Sequence, residues 1–216
     1  MRRLAALAIT FALLGARTPG QTSESNQPNP STQTAKKEWA FSASAYTYLV
    51  PHAHVYVNPN FTADRGKLHL EARYNYESQE TGSLWVGYNF SRGENLVFEV
   101  TPMLGGVFGE LNGVAPGYLC SLTYKKLDFS SQGEYVITPG HREDSFFYTW
   151  SELGYSPLPW FRAGVVAQRT KAYETPLEVE RGVLAGFTYK KASFVMYVFD
   201  LEKSEKPVVA AVVFNF

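Results

Sequence analysis

Residues 67–77 read KLHLEARYNYE, and the order of side chains constrains what the chain can become. Leu68, Leu70, Ala72, Tyr74 and Tyr76 occupy alternate positions, with Lys67, His69, Glu71, Arg73, Asn75 and Glu77 between them. Successive side chains of a strand point to opposite faces, so an extended chain here is apolar on one face and polar on the other. A helix would mix the two sets. The stretch is expected to be a strand.

The same period of two recurs along the chain. Leu84, Val86, Tyr88 and Phe90 alternate with Ser83, Gly87 and Asn89, and Leu96, Phe98, Val100 and Leu104 with Glu99 and Thr101. Leu127, Phe129, Tyr135 and Ile137 alternate with Asp128, Ser130, Gln132 and Glu134. Twelve strands are expected, with a range of 10–14: near 38–49, 52–61, 66–77, 82–91, 95–106, 114–125, 127–138, 145–156, 159–170, 177–189, 192–202 and 206–216. Their connections alternate as well. Short turns at Ser91–Glu94, Lys125-Lys126, Pro157-Leu158 and Lys190-Lys191 are interleaved with longer links at Phe108–Gly113, Thr138–Asp144, Lys171–Thr175 and Glu202–Glu205. Alternating short and long ends are the asymmetry of up-and-down membrane barrels, whose strands of about 9–11 residues suit these segments. The rival fold is a secreted β-sandwich, which would turn the apolar faces into a core and the polar faces to water.

The first residues point to export. Met1, Arg2 and Arg3 precede an apolar run, Leu4 to Leu14, broken by Thr10 and followed by Gly15-Ala16. That is the layout of a secretory signal peptide, and the run falls short of the roughly 20 residues that a spanning helix needs. Residues 17–36 carry one alanine and no aromatic residue, too little apolar surface to offset the entropy of ordering, so a flexible leader is expected there. Residues 37–216 then form one domain, expected to be the barrel. Cys120 is the sole cysteine, which excludes an intramolecular disulfide framework. The 20 basic and 20 acidic residues balance, so there is no general attraction for nucleic acid, and no nucleic-acid partner is expected.

With these residues in view, the chain resembles bacterial outer-membrane β-barrel proteins of the Gram-negative type. The export segment, the two-faced strands rich in Tyr, Phe and Trp (14, 15 and 4 residues) and the last strand, VVAAVVFNF, carry the resemblance. In that family a final strand ending in phenylalanine is similar to the mark read by the barrel-assembly machinery, and Phe214 and Phe216, with Val212 and Ala210, fit it. The resemblance implies an all-β, antiparallel, up-and-down transmembrane barrel in the outer membrane, in contact with outer-membrane lipid. It names no functional subfamily.

If the apolar face meets lipid, the polar face lines the interior. A turn near Ala63-Asp64 would set His54 opposite Arg73, Tyr56 opposite Glu71 and Asn58 opposite His69. A turn near Arg92-Gly93 would set Gly87 opposite Glu99, letting Arg73 and Glu99 meet across the missing side chain. Glu134, Glu152 and Arg162 would be neighbours on consecutive strands. Glu71, Arg73, Glu99, Glu134, Glu152 and Arg162 are therefore the candidate lining residues. The expected function is a narrow, porin-like channel for passive diffusion of small hydrophilic solutes. One alternative is a closed structural barrel with a self-paired interior, since interior charges must be paired. A second is a lipid-acting enzyme, but no Gly-x-Ser-x-Gly occurs and no serine is placed beside a histidine, so no catalytic residue is expected. His52 and His54 share a face while His69 falls on the order of 13 Å away, too far to complete a metal site. Neither a metal nor a cofactor is expected. Cys120, in step with Tyr118, Leu122 and Tyr124, is expected to face lipid.

Overall fold

A computed structural model of the chain describes residues 38–172 and 175–216. The export segment expected at 1–16 and the leader expected at 17–36 lie outside the described residues. Thirteen strands follow one another: β1 (Ala40–Leu49), β2 (Tyr56–Arg65), β3 (Leu68–Tyr74), β4 (Thr81–Tyr88), β5 (Phe90–Arg92), β6 (Leu96–Gly109), β7 (Gly113–Tyr124), β8 (Leu127–Val136), β9 (Phe146–Leu158), β10 (Phe161–Ala172), β11 (Glu178–Tyr189), β12 (Ala192–Phe199) and β13 (Val208–Asn215). Among the described residues helix is limited to one short turn at Arg142–Asp144, and no helix is long and apolar enough to cross a membrane.

Apart from β4 and β5, which both pair with β6, each strand pairs antiparallel with its neighbours in sequence, and the sheet closes on itself. β13 pairs with β1 from Ser42 opposite Asn215 to Leu49 opposite Val208. Phe41 and Phe216 exchange two backbone hydrogen bonds of 3.0 Å at the seam. Closure leaves no sheet edge, the condition under which strands can sit in lipid. β4 and β5 are two parts of one stave, because both pair with β6 in a single register, Gly87 opposite Met103 and Phe90 opposite Val100. The break between them, at Asn89, falls opposite Thr101 and next to Pro102, which has no amide hydrogen to donate. The barrel therefore has twelve staves, as the alternation led one to expect.

Short and long connections alternate around it. Tight turns stand at Gly66-Lys67, Gly93–Asn95, Lys125-Lys126, Pro159-Trp160 and Lys190-Lys191, and longer links include 50–55, 75–80, 110–112, 137–145 and 200–207. The short turns lie at the same end of the barrel as Ala40, where β1 begins, and Asn215, where β13 ends, and short turns are typical of the periplasmic side of outer-membrane barrels. Gly93 takes φ 108°, and a Cβ there would stand 1.8 Å from the Leu96 carbonyl oxygen. Gly93→Ala is accordingly expected to lower unfolding stability by about 1–3 kcal/mol. Urea unfolding of the refolded protein in micelles reads this, and an unchanged midpoint would mean that the turn re-forms in another shape.

The outer wall is layered. Leu70, Leu84, Val86, Leu104, Leu153, Val165, Val183 and Met196 are exposed along the middle of the staves. Around the turn end stand the exposed aromatics Trp39, Tyr88, Tyr124, Trp160, Phe187 and Tyr189. Lys67, Lys125 and Lys190 lie 5.1 to 5.3 Å above the Tyr88, Tyr124 and Tyr189 rings. An apolar band bounded by aromatic rings and basic tips fits a bilayer core and its interface. Phe214 and Phe216 are exposed on this outer wall, and Cys120 lies on the outward-facing side of β7, as expected.

Candidate functional site

The buried side chains are those that point into the barrel. Along β1, β12 and β13 they are apolar (Tyr46, Val195, Tyr197, Val209, Ala211 and Val213), whereas β10 and β11 turn Arg162, Gln168 and Glu180 inward beside Val166 and Leu184. The expectation of a polar inner face therefore holds on one side only. The last staves are apolar on both faces because their inward residues pack against Trp150, which meets Tyr197 and Phe199 edge-on at 5.1 and 5.2 Å. Charge collects on the opposite wall.

Most of the sketched pairings are corrected. Gly66, at φ 63°, makes the first tight turn, so β2 and β3 pair with Asn60 opposite Arg73, Thr62 opposite Glu71 and Asp64 opposite His69. His54, Tyr56 and Asn58 are not the partners of Arg73, Glu71 and His69. A turn placed near Ala63-Asp64 overlooked the one residue locally free to take a positive φ. Gly87 stands opposite Met103 rather than Glu99, because the next turn extends to Asn95. Arg73 and Glu99 therefore do not meet; Glu99 instead accepts from Ser121 at 3.4 Å near the turn end. Glu134 is not a neighbour of Glu152 and Arg162 either. Those two do pair, at 2.6 Å, while Glu134 reaches across the lumen to Arg73 at 2.9 Å.

Two charged layers result. Near the turn end, Arg162 lies between Asp128 (2.5 Å) and Glu152. Glu152 also accepts from Trp150 Nε1 and the Tyr197 hydroxyl, each at 2.9 Å. The room for Arg162 comes from Gly154, where a Cβ would stand 2.4 Å from the guanidinium Nε. A glycine does open the gap for a charge, but at Gly154 and not at Gly87. Gly154→Val is expected to evict Arg162 and strand its two carboxylates, lowering stability by about 3 kcal/mol. Urea unfolding checks this, and a loss below about 1 kcal/mol would count against the pairing.

The second layer sits toward the loop end. Arg73 donates to Glu71 and Glu134, at 2.9 Å each, and its Nη1 lies 3.8 Å from Glu77. Its guanidinium is held between the rings of Tyr76 and Trp85, 4.2 and 4.4 Å from their centroids. Glu71 also accepts from Asn60 Nδ2 at 2.5 Å and lies 3.5 Å from His69 Nε2. His69 continues to Asp64 at 2.9 Å, Asp64 to Asn89 at 2.6 Å and Asn89 to Thr101 at 2.6 Å. One polar chain thus runs down the wall from Glu134 to the turn end. Its members are among the most deeply buried in the molecule; Glu71, Arg73 and Glu134 are 3–4 % exposed.

Tyr76 and Glu77 enter this layer from an unexpected place. Alternation assigned them to a strand, with Tyr76 facing outward, but β3 ends at Tyr74. Asn75 and Glu80 both take positive φ (56° and 55°), and the link between them folds into the lumen. Asn75 fastens its base: its amide donates to Thr81 O at 2.8 Å, its Nδ2 to Val57 O at 3.1 Å, and its Oδ1 accepts from Glu80 N at 2.8 Å. Asparagine tolerates the left-handed region better than most residues, so an asparagine closing a strand ahead of the polar run ESQET was a legible signal. Inside, the Tyr76 hydroxyl accepts from Gln132 at 2.6 Å, and Glu77 from the Ser83 hydroxyl at 2.6 Å. Burial pushes the Glu77 carboxyl up, and Arg73 opposes this. Arg73 Nε, Glu77 Oε2 and Glu134 Oε1 are enclosed without a hydrogen-bond partner among the described residues.

No protein-family model matches this chain, and no curated protein is similar to it. Solved structures do match. A KdgM porin aligns at 12 % identity and a TM-score of 0.58, over 81 % of this chain and 99 % of its own. A KdgM porin in complex with disordered oligogalacturonate aligns at 10 % identity and a TM-score of 0.59 over the same shares. At such identity the likeness speaks for the fold alone. Together with the closed sheet, it gives this chain the fold of a twelve-stave antiparallel β-barrel like that of the KdgM porin.

Proposed function

We propose that the protein is a narrow outer-membrane channel that lets small hydrophilic solutes diffuse down their gradients, with no catalytic step. The observation that supports this reading is a charged wall enclosed by an apolar outer surface. Ionised side chains are costly in lipid and are kept where they line a water path or pair with one another. Glu71, Arg73, Glu99, Glu134, Glu152 and Arg162 all lie on the inner wall, with Glu77 inserted by the 75–80 link. Carboxylates outnumber guanidiniums here, so an acidic oligosaccharide of the kind bound by the KdgM neighbour would be repelled rather than guided. Residues 1–16 serve export, residues 17–36 are a leader, and Phe214 and Phe216 present the final strand to the assembly machinery.

One observation favours a second reading, a closed barrel. Arg73 ties β3 to β8 across the lumen, Tyr76 and Trp85 flank its guanidinium, and Tyr148 packs edge-on against Tyr76. Liposome swelling separates the two. A folded channel is expected to admit a neutral monosaccharide and exclude a trisaccharide, whereas a closed barrel admits neither. In a protein that conducts, Glu71→Gln with Arg73→Gln is expected to change ion preference. An unchanged preference would remove both from the lining that sets selectivity.

A further inference from the structure

Three carboxylates of the loop-end layer, Glu71, Glu77 and Glu134, converge on the Arg73 guanidinium, and among the described residues only Glu71 of the three has a second basic neighbour, His69 at 3.5 Å. Arg73 is fixed there by the two flanking rings. Glu77 and Glu134 approach the same nitrogen, Nη1, so their carboxylates are neighbours although one comes from a loop and the other from β8. Each is almost completely buried, and each keeps one oxygen, Glu77 Oε2 and Glu134 Oε1, that accepts no hydrogen bond from the described residues. A buried carboxylate oxygen without a donor costs several kcal/mol, at about the level of a lost charged hydrogen bond or more. Positive charge placed against both oxygens would remove that cost. Among the described residues no three His, Cys, Asp or Glu side chains are grouped to hold a metal ion. Two buried carboxylates beside a guanidinium carry too little net charge to offset the dehydration of a divalent ion, which gives up its waters reluctantly, and so suit a loosely held monovalent ion.

We infer that Glu77 Oε2 and Glu134 Oε1 form a binding site for a small monovalent cation at the constriction, and that this pair makes the lumen cation-preferring. The inference rests on the channel reading for its role in transport, but the site itself does not require conduction. Acidic side chains at a narrow point select cations because an anion meets their field without compensation. Glu77 is then a selectivity residue delivered by a link and not by the wall.

Two measurements on the refolded protein test this. The first is the reversal potential across a planar bilayer under a KCl gradient. The second is the unfolding temperature in KCl against N-methylglucamine chloride at equal ionic strength. The expected results are a potassium-over-chloride preference of about fivefold or more and an unfolding temperature higher in potassium by a few degrees. Glu77→Gln and Glu134→Gln, each a near-isosteric change, are expected to reduce both effects, while Glu110→Gln in the exposed 110–112 link leaves them intact. A conducting protein without cation preference, or one whose preference survives both substitutions, overturns the inference and leaves the channel reading standing. A folded but silent protein overturns the channel reading instead. In that case a potassium-dependent unfolding temperature lost in Glu77→Gln upholds the site. Equal temperatures in both salts mean that a proton serves the two carboxylates, which overturns the site.

Discussion

Replacing Arg73 with methionine is expected to lower the unfolding free energy of the barrel by about 3–5 kcal/mol, the loss typical of removing one partner from a buried ion pair. Methionine keeps much of the volume between Tyr76 and Trp85 but leaves Glu71, Glu77 and Glu134 without their shared donor. The cost comes from stranded carboxylates, so it should be recoverable. Adding Glu71→Gln, Glu77→Gln and Glu134→Gln to Arg73→Met is expected to restore most of the lost stability, since apolar or neutral replacements for a buried charge network are often close to neutral overall. Urea titration followed by tryptophan fluorescence reads both proteins. A loss below about 1 kcal/mol for Arg73→Met would place its guanidinium in a water-filled lumen, where screening makes such pairs weak.

Shortening the 75–80 link is expected to produce the largest functional change. Residues Tyr76 to Gln79 replaced by two glycines leave Asn75 and Glu80 free to close the hairpin outside the lumen. The Tyr76 ring, its hydrogen bond from Gln132 and the Glu77 carboxylate all leave the constriction. Entry of a neutral monosaccharide into liposomes is expected to rise by about tenfold, and a trisaccharide excluded by the intact protein should begin to enter, because pore diameter sets which neutral solutes pass. Equal swelling rates before and after the change would mean that the narrowest point lies elsewhere, and the Arg162 layer would be the next to open.

The barrel was legible because its outer face obeys one rule. Every stave presents apolar side chains at alternate positions to lipid, so Leu68, Leu70, Ala72 and Tyr74 mark β3 from sequence alone, as Leu127, Phe129 and Tyr135 mark β8. Strand positions followed to within a few residues. Register did not, because pairing depends on where each turn closes, and one missed glycine at position 66 moved every partner of β3. The inner face was legible only in part. Glu71, Arg73, Glu134, Glu152 and Arg162 were found as inward charges, and the Glu152–Arg162 pair was right. The Arg73–Glu134 bond joins residues from opposite walls, a contact that neighbouring-strand pairing cannot see. Tyr76 and Glu77 were missed because alternation continues through them in sequence after the strand has ended in space. The apolar lining of β12 and β13 was hidden for another reason: a strand apolar on both faces shows no alternation to read.

Single-channel recording of the refolded protein in a planar bilayer tests the central claim most directly, that a narrow polar path runs through this barrel. Small, discrete and reproducible conductance steps are the expected result, growing when residues 76–79 are replaced by the glycine pair. A protein shown to be folded that stays silent, and stays silent with the link shortened, would contradict the channel and make the charged interior a structural filling.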